Sequence, residues 1–250
     1  MAALHGIINF FKPTGITSAK ALYAVRKVVG QRKSGHAGTL DPGADGVLVL
    51  CLGQATKLVD RIMDQPKVYH ARARLDVTSE SYDSDRPLAK VPIESPPSEV
   101  VLAEALRSFQ GDIEQVPPAV SAVKVGGRPA YQLERRGQTP ELKARTVRIH
   151  WIRLRRYAWP QIEFEMACGR GTYVRALMRD LGRALGTGGC LTALTRTAVG
   201  PFAAEDAWTL AALRNAAGPE DYLIDLDRAR QLVARQVSVP RPVDREQPPV

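Results

Sequence analysis

Gly35-His36-Ala37-Gly38-Thr39-Leu40-Asp41-Pro42-Gly43-Ala44-Asp45-Gly46 is the stretch on which the reading of the chain turns. It surrounds one carboxylate, Asp41, with glycines and a proline, then runs into Val47-Leu48-Val49-Leu50-Cys51-Leu52. An apolar run of that length reads as a buried strand. Glycine lets backbone approach a ligand closely. Pro42 holds the residue before it, Asp41, out of the helical region. A carboxylate pinned on such a loop at the edge of a buried sheet is a candidate nucleophile or base. On composition alone, the commoner reading is an Asp-Pro pair that starts a turn.

The block Gly-His-Ala-Gly-Thr-Leu-Asp-Pro-x-Ala-x-Gly-Val-Leu resembles the signature loop of the TruB family, the bacterial tRNA pseudouridine-55 synthases. The resemblance implies that Asp41 is the catalytic residue and that Gly38 and Thr39 contact substrate. It also implies that His36 fills the space left when the target base leaves its stack. Read by itself, His36 could equally bond within its own loop. Lys12-Pro13-x-Gly15-x-x-Ser18 resembles a second family feature, whose lysine supports the active site; alone, Lys12 is a charge flanking a turn. In Lys67-x-Tyr69 the resemblance implies a tyrosine that stacks on the base and moves a proton, whereas a lone strand tyrosine is usually core. Gly171-Thr172-Tyr173-Val174-Arg175 resembles a third motif, implying that Arg175 pairs with the catalytic carboxylate and Tyr173 contacts substrate. By spacing alone, Arg175 lies off the apolar stripe of its helix and reads as a solvated charge. Leu194 is the pocket-lining leucine that the resemblance implies. Residues 76–86 match the family's remaining segment loosely, with Asp76 and Arg86 standing for two glycines and Glu80 for an aspartate.

The rest of the chain supplies the frame. Residues 5–11 read as a first strand, followed by a helix capped by Ser18 and closed by Gly30. Residues 54–63 read as a short helix, 67–75 as a half-buried strand, and 99–109 as a helix. Residues 144–156 and 162–166 alternate as strands. Thr172 is the expected cap of a helix carrying Val174, Leu177, Leu181 and Leu185 on its core side and stopped by Gly186. Residues 190–200 read as a strand and 205–217 as a short helix. The expected fold is α+β: a mixed, mostly antiparallel sheet flanked by helices, with a cleft across it. The expected domains are a catalytic unit over residues 1–202, a short extension over 203–237 and a disordered tail over 238–250.

The chain has 250 residues and a net charge of +9. Residues 117–156 hold ten basic side chains against two acidic ones, so nearly the whole excess lies there. Such a segment is the electrostatic footprint of a polyanion partner. It resembles the family's thumb, an insertion over about residues 117–146 that clamps the tRNA arm, and Lys124 and Arg128 are its expected substrate contacts. Three single cysteines, Cys51, Cys168 and Cys190, argue against a zinc site and a disulfide scaffold. No apolar run is long enough to span a membrane. The N-terminus has no signal-peptide pattern, so the cytoplasm is the expected compartment. Isomerising uridine involves no redox change or group donor, so no cofactor or metal is expected. The expected partner is the T-arm of tRNA, bound by a monomer needing no second protein. A tRNA-folding chaperone is the alternative. The catalytic subunit of a guide-RNA particle is a third reading, disfavoured by the lack of room for a full C-terminal RNA-binding domain.

Overall fold

The structure, a computed structural model, describes residues 3–120, 124–125, 128–129, 142–234 and 239. In chain order the elements are β1 (Gly6–Lys12), α1 (Ser18–Val29), β2 (Ser34–His36), β3 (Asp45–Leu52), a 3₁₀ turn (Gly53–Leu58), α2 (Val59–Asp64), β4 (Lys67–Arg74), β5 (Val77–Thr78), β6 (Ala89–Lys90), α3 (Glu99–Ser108) and β7 (Gly111–Gln115). After them come β8 (Lys124–Val125), β9 (Arg128–Pro129), β10 (Arg145–Ala158), β11 (Gln161–Cys168), α4 (Val174–Leu185), β12 (Cys190–Val199), β13 (Phe202–Ala203), α5 (Leu210–Asn215), α6 (Pro219–Tyr222), β14 (Ile224–Asp225) and α7 (Leu226–Ala234).

Ten strands form one sheet in the order β14-β1-β3-β12-β4-β11-β10-β7, with β13 added on β12 and β2 on β3. Neighbours pair antiparallel except β3 and β12, which run parallel where Thr195 meets Asp45 and Arg196 meets Gly46. That contact explains the glycine of Asp45-Gly46. A Cβ on Gly46 would stand 2.2 Å from the Arg196 carbonyl oxygen, and its φ is +100°. Only glycine meets both conditions without strain.

The run from Val47 to Leu52 is apolar throughout because β3 is covered on both faces. Leu48, Leu50 and Leu52 pack with α1, while Val47, Val49 and Cys51 pack with the 3₁₀ turn, α2 and α7. A third cluster places α3 and α4 against β4, β10, β11 and β12. All three cysteines are buried and free.

The expected α+β sheet is therefore present, with three local corrections. Thr17, not Ser18, caps α1, its side chain accepting from the Lys20 N–H at 3.1 Å. Ser18 is 1% exposed and is used elsewhere. Thr172 does not cap α4; its hydroxyl donates to the Gly169 carbonyl at 3.2 Å, and Tyr173 holds the cap position. The helix read over 205–217 is confined to α5, and residues after it add two further helices and an edge strand. Residues 144–156, read together with the basic segment, belong to the main sheet as β10. Most of the expected thumb, and of the tail over 238–250, lies outside the described residues. Lys124 and Arg128 fall on β8 and β9, with their side chains outside what is described.

Candidate active site

The loop between β2 and β3 carries Asp41, and several separate anchors hold it. The Ser18 hydroxyl accepts from the Leu40 N–H at 2.8 Å and donates to the Leu40 carbonyl at 3.0 Å, closing both polar groups of the residue before Asp41. The Gly15 N–H donates to the Pro42 carbonyl at 2.8 Å, so the first turn of the chain is tied to the loop. The Ala44 N–H closes a turn onto the Asp41 carbonyl at 3.1 Å. Arg196 donates through Nη2 to the Gly38 carbonyl at 3.0 Å. These bonds explain why a loop rich in glycine can hold one carboxylate in place.

Arg175 reaches that carboxylate. Its Nε lies 2.9 Å from Asp41 Oδ2, with side-chain exposures of 5% for the arginine and 42% for the aspartate. The other guanidinium nitrogens donate to backbone: Nη1 to the Ser81 carbonyl at 3.2 Å and Nη2 to the Val120 carbonyl at 2.8 Å. One side chain thus joins the Asp41 loop, the 76–86 loop and the start of the basic segment. The spacing that put Arg175 off the apolar stripe is right about the helix but wrong about solvent, because the 76–86 loop and residue 120 cover that flank. A forked, always-charged donor suits three fixed acceptors better than a lysine would. The helix start is fixed in turn by Gln115. It is 1% exposed, accepts from the Tyr173 N–H at 2.8 Å and donates to the Tyr173 carbonyl at 3.2 Å.

These groups line a cleft of about 390 Å³. Gly38, Thr39, Asp41, Tyr69, Tyr173, Arg175 and Leu194 all lie on its wall, so most of the residues singled out by motif meet at one place. Tyr69 is half-buried on β4; burial pushes its phenol up, and the Arg196 guanidinium opposes that shift. His36 is not on the wall. It sits on β2 opposite Leu50, and burial, with the Arg196 charge, pushes its imidazole down. Its Nδ1 is buried with no hydrogen-bond partner among the described residues. Lys12 is also off the wall. It is 0% exposed, and its Nζ donates to the Pro13 carbonyl at 2.8 Å and the Ile16 carbonyl at 2.9 Å. It therefore braces the turn that holds Pro42. Burial lowers it to about 8, with Asp45 and Asp41 pulling the other way.

Sequence reasoning gave no site role to several residues in or beside the cleft. Lys67 is 6% exposed, donates to the Met63 and Gln65 carbonyls, and is lowered to about 8 by burial. Arg145 and Arg170 add cations to the wall, Arg170 being held by Asp64 and Asp60. Arg196 is 1% exposed and sits behind the Asp41 loop. Asp83, in the 76–86 loop, is raised by burial and by Asp85, with Arg175 opposing. The loop there turns through Tyr82, whose φ is +57°, and the Arg179 guanidinium lies 5.8 Å from the Tyr82 ring centre. Among the described residues no cluster of three or more His, Cys, Asp or Glu could hold a metal ion. None of the described helices is long and apolar enough to cross a membrane.

The basic segment is less open than its composition suggests. Arg148 pairs with Asp112 at 2.8 Å, and Arg155 pairs with Glu165. Those two cations on β10 are spent within the sheet. Among the described residues, the cations that face the cleft are Arg145 from that segment and Lys67, Arg170, Arg175 and Arg196 from outside it.

A family model described as "TruB family pseudouridylate synthase (N terminal domain)" matches residues 26–174, and one described as "tRNA pseudouridylate synthase B C-terminal domain" matches residues 175–229. The chain is similar to the tRNA pseudouridine synthase B of Xanthomonas campestris pv. campestris strain B100, at 44% identity over 84% of this chain and 68% of that protein. It is similar to the tRNA pseudouridine synthase B of Alkaliphilus oremlandii at 37% identity over 94% of this chain and 78% of that protein. Among solved structures, a chain of a Cbf5–Nop10–Gar1 complex aligns with a TM-score of 0.66 at 30% identity, covering 91% of this chain and 59% of that one. A chain of an H/ACA RNP bound to a substrate RNA containing 2′-deoxyuridine aligns with a TM-score of 0.67 at 26% identity, covering 91% and 61%. The present chain therefore spans about three-fifths of each of those two.

Proposed function

This chain belongs to the TruB family of pseudouridylate synthases, and from that membership we propose that it converts uridine 55 in the T-arm of tRNA to pseudouridine. The observation that carries the reading is the Arg175–Asp41 pair at 2.9 Å, set in one cleft with Tyr69 and Leu194.

The reaction breaks the C1′–N1 bond of uridine, turns the base and joins C1′ to C5; the C5 proton leaves to solvent and the released N1 takes one up. Nothing is oxidised or reduced, and product and substrate have the same composition. Asp41 is the nucleophile or base that meets the sugar or the ring. Arg175 fixes which Asp41 oxygen is free, since Oδ2 is engaged. Tyr69 stacks on the uracil and takes part in proton transfer. The base must leave its stack to enter the cleft, at a cost of a few kcal/mol. His36, held neutral by burial, is suited to fill the gap in the RNA stack because it brings no charge to desolvate. Gly38, Thr39 and Tyr173 contact the RNA. Lys124 and Arg128 contact phosphates, which position an RNA without reading its sequence. The enzyme works as a monomer in the cytoplasm, needing no cofactor and no second protein.

The test is tritium release from tRNA labelled at uracil C5. The wild-type chain releases label from a T-arm transcript with uridine at position 55 and none when that uridine is replaced by cytidine. Refolding of tRNA without any tritium release would instead identify a chaperone, and release only in the presence of a guide RNA would identify a guide-dependent subunit.

A further inference from the structure

Arg196 is among the largest fully buried side chains of the protein, 1% exposed, and no carboxylate lies within ion-pair distance of it among the described residues. Burying a charge with no counter-charge is costly. The strand topology shows what the residue does there. On β12, Arg196 is flanked by Gly46 of β3 on one side and by Tyr69 of β4 on the other. The register with β4 shifts immediately after this pair, between Arg196 and Ala198. Such a bulge re-aims a side chain. The guanidinium passes behind the catalytic loop, donating through Nε to the Val47 carbonyl at 2.7 Å and through Nη2 to the Gly38 carbonyl at 3.0 Å. A Cβ on Gly38 would stand 3.5 Å from Nη1, an ordinary contact, and it is the φ of +94° that favours glycine there. Arg196 and Tyr69 then share the cleft wall.

We propose that Arg196 is a positioning residue for the isomerisation: its guanidinium locks the Asp41 loop and the Tyr69 hydroxyl into one geometry. The inference rests on the reading of the site given above. Arginine has five donors and no acceptor, and it does not give up its proton. Toward the phenol it acts only as a donor. In this proposal Arg196 is the donor and the Tyr69 oxygen the acceptor, which leaves the Tyr69 O–H for the cleft where the uracil stacks. The same cation opposes the rise that burial imposes on the phenol. One side chain thus stands beside both chemical partners: it bonds the Asp41 loop through the Gly38 and Val47 carbonyls, and it lies across from Tyr69 in the strand register. Its role is separate from that of Arg175, which grips the carboxylate itself.

Arg196→Gln and Arg196→Lys are measured in the full chain by T-arm RNA affinity, by single-turnover tritium release and by the Tyr69 phenol titration. The titration is followed by ¹³Cζ NMR and assigned with Tyr69→Phe. Arg196→Gln is expected to raise the phenol midpoint by about one unit or more, because a facing cation is removed. Arg196→Lys keeps the charge and leaves the midpoint near wild type, but one ammonium cannot serve three acceptors, so turnover falls by roughly 10-fold to 10²-fold. RNA affinity stays close to wild type in both. Because Arg196 acts in part through Tyr69 and in part through the Asp41 loop, the Tyr69→Phe/Arg196→Lys double variant is slowed by less than the product of the two single losses. An unmoved phenol midpoint in Arg196→Gln, wild-type turnover in Arg196→Lys, or rate losses that multiply in the double variant would each overturn the proposal. Should Arg196→Gln not fold, Arg196→Lys and the cycle with Tyr69→Phe still decide it. A wild-type chain that makes no pseudouridine would defeat the functional reading instead, and the phenol titration would remain a separate test of the Arg196 contact.

Discussion

Replacing Arg175 by lysine keeps a positive charge in the helix and removes the fork. In the structure the three nitrogens serve three segments: Asp41 at 2.9 Å, the Ser81 carbonyl at 3.2 Å and the Val120 carbonyl at 2.8 Å. A single ammonium on a shorter stem reaches one of these, or at best two. A hydrogen bond from a charged donor is worth about 1.5–3 kcal/mol, so losing two of them sets an upper bound of roughly 3–6 kcal/mol. Water reaches the half-exposed carboxylate and part of the Val120 side, so a global loss of about 2–4 kcal/mol is expected. The effect on rate is larger than this, because Asp41 is then free to turn. A reacting group displaced by about 1 Å costs on the order of 10²-fold. The assay is single-turnover tritium release at saturating enzyme, run beside urea denaturation and T-arm RNA binding. The expected result is a rate lowered by about 10²-fold or more, a lower urea midpoint and RNA affinity within roughly threefold of wild type. A variant that loses stability but turns over within about threefold of wild type would refute the claim that Arg175 orients the carboxylate.

Ser18→Ala leaves the N–H and carbonyl of Leu40 without their buried partner, and should cost about 2–4 kcal/mol in urea melts while slowing turnover through the adjacent Asp41. RNA affinity should fall with salt. If the five cations Lys124, Arg128, Arg135, Arg136 and Lys143 each meet a phosphate, the log–log slope is about −4, and a flat response would contradict the thumb reading. Lys12, lowered from 10.5 to about 8 by burial, gives a signed pH effect. Between those values the unfolded chain binds the extra proton, so stability rises with pH from about 8 toward 10.5. Lys12→Met should flatten that rise without abolishing it, because Lys67 is lowered in the same way; an unchanged slope in urea melts across pH 7 to 10 would show that Lys12 is not the group responsible.

The site was readable from sequence to the extent that its residues lie in contiguous motifs. The loop around Asp41, the Tyr69 strand and the Arg175 helix start were each found as short motifs resembling the family's, and the α+β sheet was expected with that resemblance, in keeping with an apolar run and alternating strands. Buried polar residues with distant partners were not readable. Arg196 has no local signature. Its burial depends on β12 lying between β3 and β4, which is a matter of register rather than composition. Ser18 was read as the cap because its hydroxyl is of a capping type, but that hydroxyl is taken by Leu40 and Thr17 caps instead. Arg175 looked solvated because helical periodicity describes one element at a time, and its cover comes from residues 81 and 120. The basic count over residues 117–156 overstated the free charge, since Asp112 and Glu165 lie across the strands from Arg148 and Arg155.

The central claim is that the carboxylate of Asp41 carries the chemistry. Asp41→Asn preserves the side-chain shape and removes the charge, and its most direct measurement is tritium release from C5-labelled tRNA in a single turnover. The account predicts no release above background, with T-arm RNA still bound and the fold retained. Release at the wild-type rate from a folded Asp41→Asn chain would contradict it.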